Sequence, residues 1–302
     1  MFYKSFLFCL AAGVGLATRI PSFDGSRAMN DIATQLSFGV RAIGSPGHAR
    51  TVQFILARLA RTPARIRIER WTESDGSATH HLTNIVAQFD AANPRRIILG
   101  THYDSIVRAY RDVSRPNAAM PGANNSASGV ALLLELTRAL TVTKRRPQVG
   151  VDFVFFDGEE GPRSLGAGDP QWRPLGSPYF ARHLSDFYDG ALPQEAIIFD
   201  MVCYRGIRLY PEVSSIHSEP TRVRELFELG HRVAPSVFSI AAKTGPIDDD
   251  QNAVESAGIP GDLVIGFEYE PWFNTTNDTL DKCSEATLDG VGRTVLAYLF
   301  AQ

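Results

Sequence analysis

Short apolar runs alternate with helical patterns along this chain of 302 residues, and the alternation constrains the fold more than any other feature. The runs typical of buried strands are IRIERW, NIVAQF, RIILGTH, VGVDFVFFD, AIIFDMVCY and DLVIGFEY. Helical patterns lie near 47–61, after Asn125, near 177–188, near 219–233 and from about 285 onwards. Such alternation predicts an α/β fold with a mostly parallel central sheet flanked by helices on both faces. We expect a single domain, because no Pro/Gly linker is long enough to divide the chain.

Polar side chains of metal-binding type follow three of the predicted strands. One strand ends on His102, with Asp104 two residues later, and another leads into Glu159 and Glu160. A third ends on Asp200. Any one of these residues alone would be read as an ordinary loop residue or a helix cap. Together they predict a site, because the carboxyl ends of parallel strands meet at one edge of a sheet.

The residue types in this set indicate metal and proton-transfer chemistry. The neighbouring carboxylates of Glu159 and Glu160 repel each other unless a cation or a proton separates them. One metal ligand beside one general acid/base is therefore the simplest interpretation of the pair. His102 followed by Asp104 fits a histidine ligand whose ring is oriented by a carboxylate.

The stretch PGANNSASGVALLLELTRAL allows two interpretations of its paired asparagines. A side-chain oxygen of Asn124 or Asn125 can accept an amide hydrogen from the first turn of the helix that follows, which makes either residue a helix cap. The polar strand ends on either side in the chain favour a place in the site instead.

The chain resembles the zinc-dependent aminopeptidases and the glutaminyl cyclases that share their fold. The segments that carry the resemblance are FGVRAIGSPGHA, THYDS, PGANNSASGVALLLELTRAL, FFDGEEG, LGSPYFARHL, FDMV, DDDQNAVESAGIP and FNTTNDTLDKCS. The resemblance implies a zinc exopeptidase-like domain over residues 21–302. The LLLELTRAL helix and the loop from Asp169 to Ser177 look more like the cyclase branch than the aminopeptidase branch.

Position by position, the resemblance assigns roles to the polar set. It implies that His102 and Asp200 bind one metal position and that Glu160 binds the other. Glu159 matches the general base, which in a peptidase takes a proton from a metal-bound water. In a cyclase the same residue moves a proton from the substrate amine to the departing ammonia. Asp249 matches a carboxylate that assists in cyclases.

Three positions depart from the family pattern. Asn125 stands where the family has the aspartate that binds or bridges the metals, and Asn274 stands where it has a histidine ligand. Gln251 stands where the family commonly has a histidine, and we expect it to contact the substrate. A carboxamide oxygen can coordinate zinc, but it carries no charge, and zinc prefers imidazole, thiolate and carboxylate. Trp272 and Phe273 would form an aromatic wall for the substrate side chain, or else pack in the core.

The sequence therefore supports two classes of function. The first is a metal-dependent enzyme of peptide or protein N-termini, with zinc as one ion or two. It would act as a glutaminyl-peptide cyclotransferase, or alternatively as an aminopeptidase that hydrolyses the terminal bond. The second is a metal-deficient, non-catalytic homologue that binds peptides or partners, in which Asn125 and Asn274 replace metal coordination by hydrogen bonds.

Composition and the N-terminal segment bear on partners and compartment. The net charge of −3 and the scattered Lys and Arg residues argue against a nucleic-acid partner. The apolar run from Phe6 to Ala17 is too short for an ordinary membrane span and matches a signal-peptide core, so we expect a signal peptide at 1–20 and an exported chain without a membrane span. Cys203 and Cys283 would then be free to pair in an oxidising compartment, but their spacing alone does not establish proximity.

Export is directly testable by intact-mass measurement of chain secreted from a suitable host. We expect loss of roughly the first 17 to 24 residues, in keeping with ordinary signal-peptide lengths. Exported protein that retains Met1 would contradict the expectation.

Overall fold

The computed structural model describes residues 20–162 and 171–302. Nearly all of the predicted signal peptide at 1–20 lies outside the described residues, as do the first two positions of the loop from Asp169 to Ser177.

The described part of the chain contains eight α-helices, two short 3₁₀ helices (Leu184–Asp186 and Leu280–Lys282) and six strands. The helices are α1 (Gly25–Ser37), α2 (Pro46–Leu59), α3 (Ala127–Val142), α4 (Gly176–Arg182), α5 (Val213–Ser218), α6 (Pro220–Val233), α7 (Asp250–Ser256) and α8 (Glu285–Leu299). The strands are β1 (Arg65–Ser74), β2 (Thr79–Phe89), β3 (Arg96–His102), β4 (Gly150–Phe156), β5 (Glu195–Asp200) and β6 (Gly261–Ile265).

The six strands form one sheet in the order β1-β2-β4-β3-β5-β6. Strand β2 runs antiparallel to β1 and β4, whereas the β3–β4, β3–β5 and β5–β6 pairs are parallel. Five of the six strands therefore point the same way, and the mostly parallel sheet predicted from the alternation is confirmed.

Helices cover both faces of this sheet, as predicted. Alternate residues of a strand point to opposite faces. On β3, Ile97 and Leu99 are buried in a core shared with α3 and α8. Ile98 lies between them in the chain and is buried on the other face, with Phe180 of α4 and Val254 of α7. Both cores depend on the near-continuous apolar runs that marked the strands in the sequence.

Some predicted boundaries were wrong, and three helices were not predicted. Strand β5 stops at Asp200 rather than Tyr204, because Met201 takes a left-handed backbone conformation with φ of 50°. Helix α1 buries Ala28 and Ile32 but also polar residues, so its apolar pattern is weak. Helices α5 and α7 have only six and seven residues, too few to display a helical period.

Neither asparagine of the Asn124–Asn125 pair caps helix α3 with its side chain. The helix begins at Ala127 with Ser126 at the N-cap position, and no side-chain hydrogen bond is made there. Asn124 instead accepts a hydrogen bond from the backbone N–H of Cys203, at 3.0 Å through Oδ1. The helix-cap interpretation was therefore wrong.

A disulfide joins Cys203, just after β5, to Cys283, just before α8. The two residues are separated by 80 positions in sequence, and both are buried. In the chain-entropy model, a cross-link over a loop of this length raises the free energy of the unfolded chain by about 4.5 kcal/mol. None of the helices in the described ranges has the length and apolar character that crossing a bilayer requires.

A buried ion pair fixes the start of β3 to that of β4. Arg96 Nε donates to Asp152 Oδ2 at 2.9 Å, and the Arg96 guanidinium also donates to the backbone oxygens of Phe89 and Asp90. Tyr188 OH donates to the same Asp152 oxygen at 2.8 Å. Because Asp152 is fully buried, its charge depends on these partners.

Loss of that arginine should destabilise the fold strongly. We expect Arg96→Ala to lower the free energy of unfolding by about 3–5 kcal/mol, because it leaves a buried carboxylate without its cation. The neighbouring Arg95 is exposed and serves as the matched control, with a change within about 0.5 kcal/mol for Arg95→Ala. Urea denaturation measures both, and equal losses would contradict the assignment.

Candidate active site

Three parallel strands deliver the predicted polar residues to one edge of the sheet. Strands β4 and β5 both pair with β3, so the chain leaves all three on the same side. His102 ends β3 and Asp200 ends β5. Glu159 and Glu160 follow β4 in a turn opened by Gly158, whose φ of 75° favours glycine. All four side chains are buried or nearly so.

The Asp104 carboxylate holds the turn that carries both glutamates. Its Oδ1 accepts the backbone N–H of Glu159 at 3.0 Å, and its Oδ2 accepts that of Glu160 at 3.1 Å. The same Oδ1 lies 3.4 Å from Nδ1 of His102, and Glu159 Oε2 lies 3.7 Å from that nitrogen. Asp104 thus acts on three residues of the site at once.

The other ring nitrogen of His102 faces Asp200. Nε2 lies 3.2 Å from Asp200 Oδ1. Two ligands of one tetrahedral ion with metal–ligand bonds near 2 Å would lie about 3.3 Å apart. The pair therefore has the spacing of two ligands of one metal ion. Asp104 lies beside the other ring nitrogen, as a carboxylate that orients a histidine ligand does.

Burial shifts the proton equilibria of this acidic cluster. It raises the pKa of Glu159 well above its ordinary value; the charge of His102 partly opposes the shift, and Glu160 and Asp249 add to it. Burial likewise raises the pKa of Glu160 to about 8, again partly opposed by His102. For His102, burial disfavours the charged ring, but Glu159, Asp104 and Asp200 outweigh it and raise the pKa well above its usual range. Such a cluster favours a bound cation.

Asn125 lies between Glu160 and Asn274. Its Nδ2 donates to Glu160 Oε1 at 2.6 Å and to Asn274 Oδ1 at 3.3 Å. Its Oδ1 is buried and has no hydrogen-bond partner among the described residues. Asn274 has a left-handed φ of 53°, and its Nδ2 donates to Tyr110 OH at 3.4 Å.

Sequence reasoning missed the residue that fixes the backbone here. Asp278, fully buried, accepts the backbone N–H of Asn124 at 2.8 Å through Oδ1 and that of Asn125 at 3.1 Å through Oδ2. Tyr269 OH also donates to Oδ1, at 2.8 Å. Burial raises the pKa of Asp278 to about 6, and the two backbone donors lower it in part. The only sequence signal for this residue was its place in FNTTNDTLDKCS.

A cavity of about 420 Å³ opens beside the cluster. Its polar side is lined by Asn125, Glu159, Glu160, Asp200, Asp249 and Asn274. Asp249 also caps α7, with Oδ1 accepting the backbone N–H of Asp250 at 2.6 Å. Burial, followed by repulsion from Asp200, raises the pKa of Asp249 well above its ordinary value.

The apolar side of the cavity includes only some of the predicted substrate-binding residues. Phe273 lines it together with Phe267, and their ring centroids are 5.8 Å apart. Trp272 is not in the lining but packs against Tyr204, with ring centroids 5.3 Å apart.

Gln251 was also predicted to bind substrate, and it too lies outside the lining. It is fully buried, and its Nε2 donates to the backbone oxygen of Ile247. Trp172, which sequence reasoning did not single out, lines the cavity.

His102 and Asp200 alone are too few donors for a complete metal site. In the described ranges, no group of three or more His, Cys, Asp or Glu side chains is placed to hold a metal ion. A third donor beside His102 and Asp200 must then come from another residue type, and the unpartnered Asn125 oxygen has the right chemistry.

Residues 84–299 match the model of peptidase family M28. Among curated relatives, the glutaminyl-peptide cyclotransferase-like protein of Bos taurus is 25% identical over 285 residues, which cover 86% of this chain and 71% of that protein.

Solved structures with the same fold superpose well on this one. The glutaminyl cyclase of Tannerella forsythia superposes with a TM-score of 0.85 at 27% identity, covering 93% of this chain and 100% of the other. A Zn-dependent exopeptidase from Parabacteroides distasonis, at 24% identity, has a TM-score of 0.86 and covers 94% of this chain and 100% of its own. The second likeness concerns the fold alone.

The support that Asp278 gives to the asparagine loop is testable by thermal unfolding. In Asp278→Asn an NH2 group replaces one carboxylate oxygen. This group cannot accept a hydrogen bond, so the buried backbone N–H that faces it loses its acceptor. We expect a loss of about 1–3 kcal/mol, seen as a fall in melting temperature on the order of 2–4 °C per kcal/mol for a chain of this size. Asp281→Asn, at a mostly exposed side chain nearby, should have little effect. Equal melting temperatures for both variants would refute the role of Asp278.

Proposed function

The chain belongs to peptidase family M28, and from this membership and its acid-lined cavity we propose that it is a metal-dependent enzyme of peptide N-termini. The reaction we propose is the conversion of an N-terminal glutaminyl residue into its cyclic form with release of ammonia. Similarity to the bovine cyclotransferase-like protein and the Tannerella forsythia cyclase supports this choice.

One observation carries the proposal: Glu159 is buried on the cavity wall, and Asp104 holds its backbone rigidly. A rigid carboxylate beside the neutral substrate amine can accept the proton that the amine loses as it attacks. Burial raises the pKa of Glu159 well above its ordinary value, which makes its carboxylate a stronger base.

The proposed chemistry needs one proton relay. The substrate α-amine attacks the carbonyl carbon of its own glutamine side chain, which forms a C–N bond within the substrate. Glu159 takes the proton that the amine loses and delivers it to the side-chain nitrogen. The carbon–nitrogen bond of the side-chain amide then breaks, and the nitrogen leaves as ammonia. We assign Asp249 to hydrogen bonding with the departing group and Phe273 to the wall beside the substrate side chain.

His102 and Asp200 would hold a zinc ion, with the Asn125 oxygen as a neutral third donor and Asp104 orienting the imidazole. When bound, such an ion polarises a carbonyl oxygen of the substrate. Glu160 and Asn274, the remaining predicted ligands, lie on the other side of the Asn125 amide.

Cyclisation suits this donor set better than hydrolysis does. A peptidase must generate its nucleophile by acidifying a metal-bound water, which requires a strongly bound ion. A cyclase uses an amine already attached to the reacting carbonyl, so much of the barrier is removed by proximity. Hydrolysis of the terminal bond remains the alternative reaction of the same site.

The hydrogen bonds of Asn125 support a second candidate function. They satisfy Glu160 and Asn274 without any ion, as expected of a non-catalytic homologue that binds peptides. Turnover distinguishes the two candidates.

The disulfide between Cys203 and Cys283 supports export to an oxidising compartment. Under either candidate function, the chain would bind its peptide ligand in that compartment.

The proposed reaction can be tested with a glutaminyl peptide and zinc-loaded protein. Mass spectrometry should show loss of one ammonia from the peptide, faster than release of leucine from a leucyl arylamide. Glu159→Gln should reduce turnover on the order of 10²–10⁴-fold, because it removes the proton relay, and should leave zinc uptake nearly unchanged. Faster leucine release would assign the chain to hydrolysis, and no turnover of either substrate would favour the non-catalytic homologue.

A further inference from the structure

The amide nitrogen of Asn125 stands where a cation would be expected on the Glu160 side of the site. It donates to a carboxylate oxygen of Glu160 at 2.6 Å and to the carboxamide oxygen of Asn274 at 3.3 Å. Two oxygens that converge on one point are the arrangement that a metal ion takes up. In this chain the point is filled by N–H groups.

The orientation of this amide follows from its neighbours. A carboxamide presents an oxygen at one end and two N–H donors at the other. Since both facing atoms are oxygens, the nitrogen end must face them. The opposite orientation would put three oxygens together and lose a hydrogen bond to a carboxylate, which is stronger than a neutral one.

The oxygen end of the same group then faces away from Glu160. Asn125 is 3% exposed, so its Oδ1 is shielded from solvent, and it accepts no hydrogen bond from any described residue. A buried oxygen without a donor is costly, and a bound cation would satisfy it. Asn125 and Asp200 line the same cavity, and Asp200 Oδ1 lies 3.2 Å from His102 Nε2, the spacing of two metal ligands.

We propose that Asn125 closes the Glu160–Asn274 position against a metal ion and directs a single ion to His102, Asp200 and its own Oδ1. The N–H groups of the side chain thereby take the place of a cation beside Glu160, and its oxygen serves as a metal ligand. The inference rests on the metal site in the proposed function, but not on the reaction catalysed there.

Zinc stoichiometry of the full chain after leader removal tests the inference without any substrate. Isothermal titration of metal-free protein with zinc should give one ion per chain. His102→Ala should weaken zinc binding by at least about 100-fold, the upper range for loss of an outer-shell partner alone. Glu160→Gln, the matched control, should change it by no more than a few fold. Circular dichroism of the metal-free variants checks that each one is folded.

The paired change Asn125→Asp and Asn274→His should open the closed position and raise the stoichiometry to two ions per chain. Anomalous scattering at the zinc edge locates the ion in crystals of the natural protein, where one peak beside His102 and Asp200 is expected. A peak beside Glu160, two ions or none in the natural protein, or an unchanged count in the double variant would each overturn the inference. A natural protein with one ion beside His102 but no turnover would refute the proposed reaction and leave the inference standing.

Discussion

The hydrogen bonds from the Glu159 and Glu160 backbone to Asp104 are the interaction on which the site depends. Asp104 follows β3 and the glutamates follow β4, so the carboxylate joins the ends of two parallel strands. Strand pairing brings these ends to one edge, but only side-chain to backbone bonds can set the direction of a turn beyond the sheet. With that turn fixed, both glutamates line the cavity, and Glu160 also accepts a hydrogen bond from Asn125.

Concentrating buried acids beside one imidazole has an energetic consequence. Burial, followed by repulsion between neighbouring carboxylates, raises the pKa of Glu159, Glu160 and Asp249, so the cluster retains protons that isolated carboxylates would release. The neutral Asn125 adds no further repulsion and gives Glu160 a hydrogen-bond donor. A carboxamide attracts a divalent ion less than a carboxylate does, so a neutral side chain at this position favours the metal-free form of the site.

Sequence patterns predicted the strands and the polar residues at their ends, because burial on both faces leaves continuous apolar runs and a parallel sheet sends its ends to one edge. They did not predict α1, whose buried face includes polar residues, or the full role of Asp104, which depends on a contact 55 residues away. One prediction put Trp272 and Phe273 together in a wall beside the substrate. Adjacent side chains leave the backbone in different directions, and of these two only Phe273 lines the cavity. Nothing local in the sequence revealed that Asp278 holds Asn124 and Asn125 by their backbones.

Asp278 accepts hydrogen bonds from the backbone N–H groups of Asn124 and Asn125, not from their side chains, and this has a consequence for divergence within the family. These two bonds hold the backbone at 124–125 and do not depend on which side chain residue 125 carries. A different side chain at residue 125 would therefore change the donors of the site while the backbone that carries it stays held. In a family built on such a scaffold, the metal-binding character of the site is set by side chains at fixed positions and leaves little trace in the path of the chain.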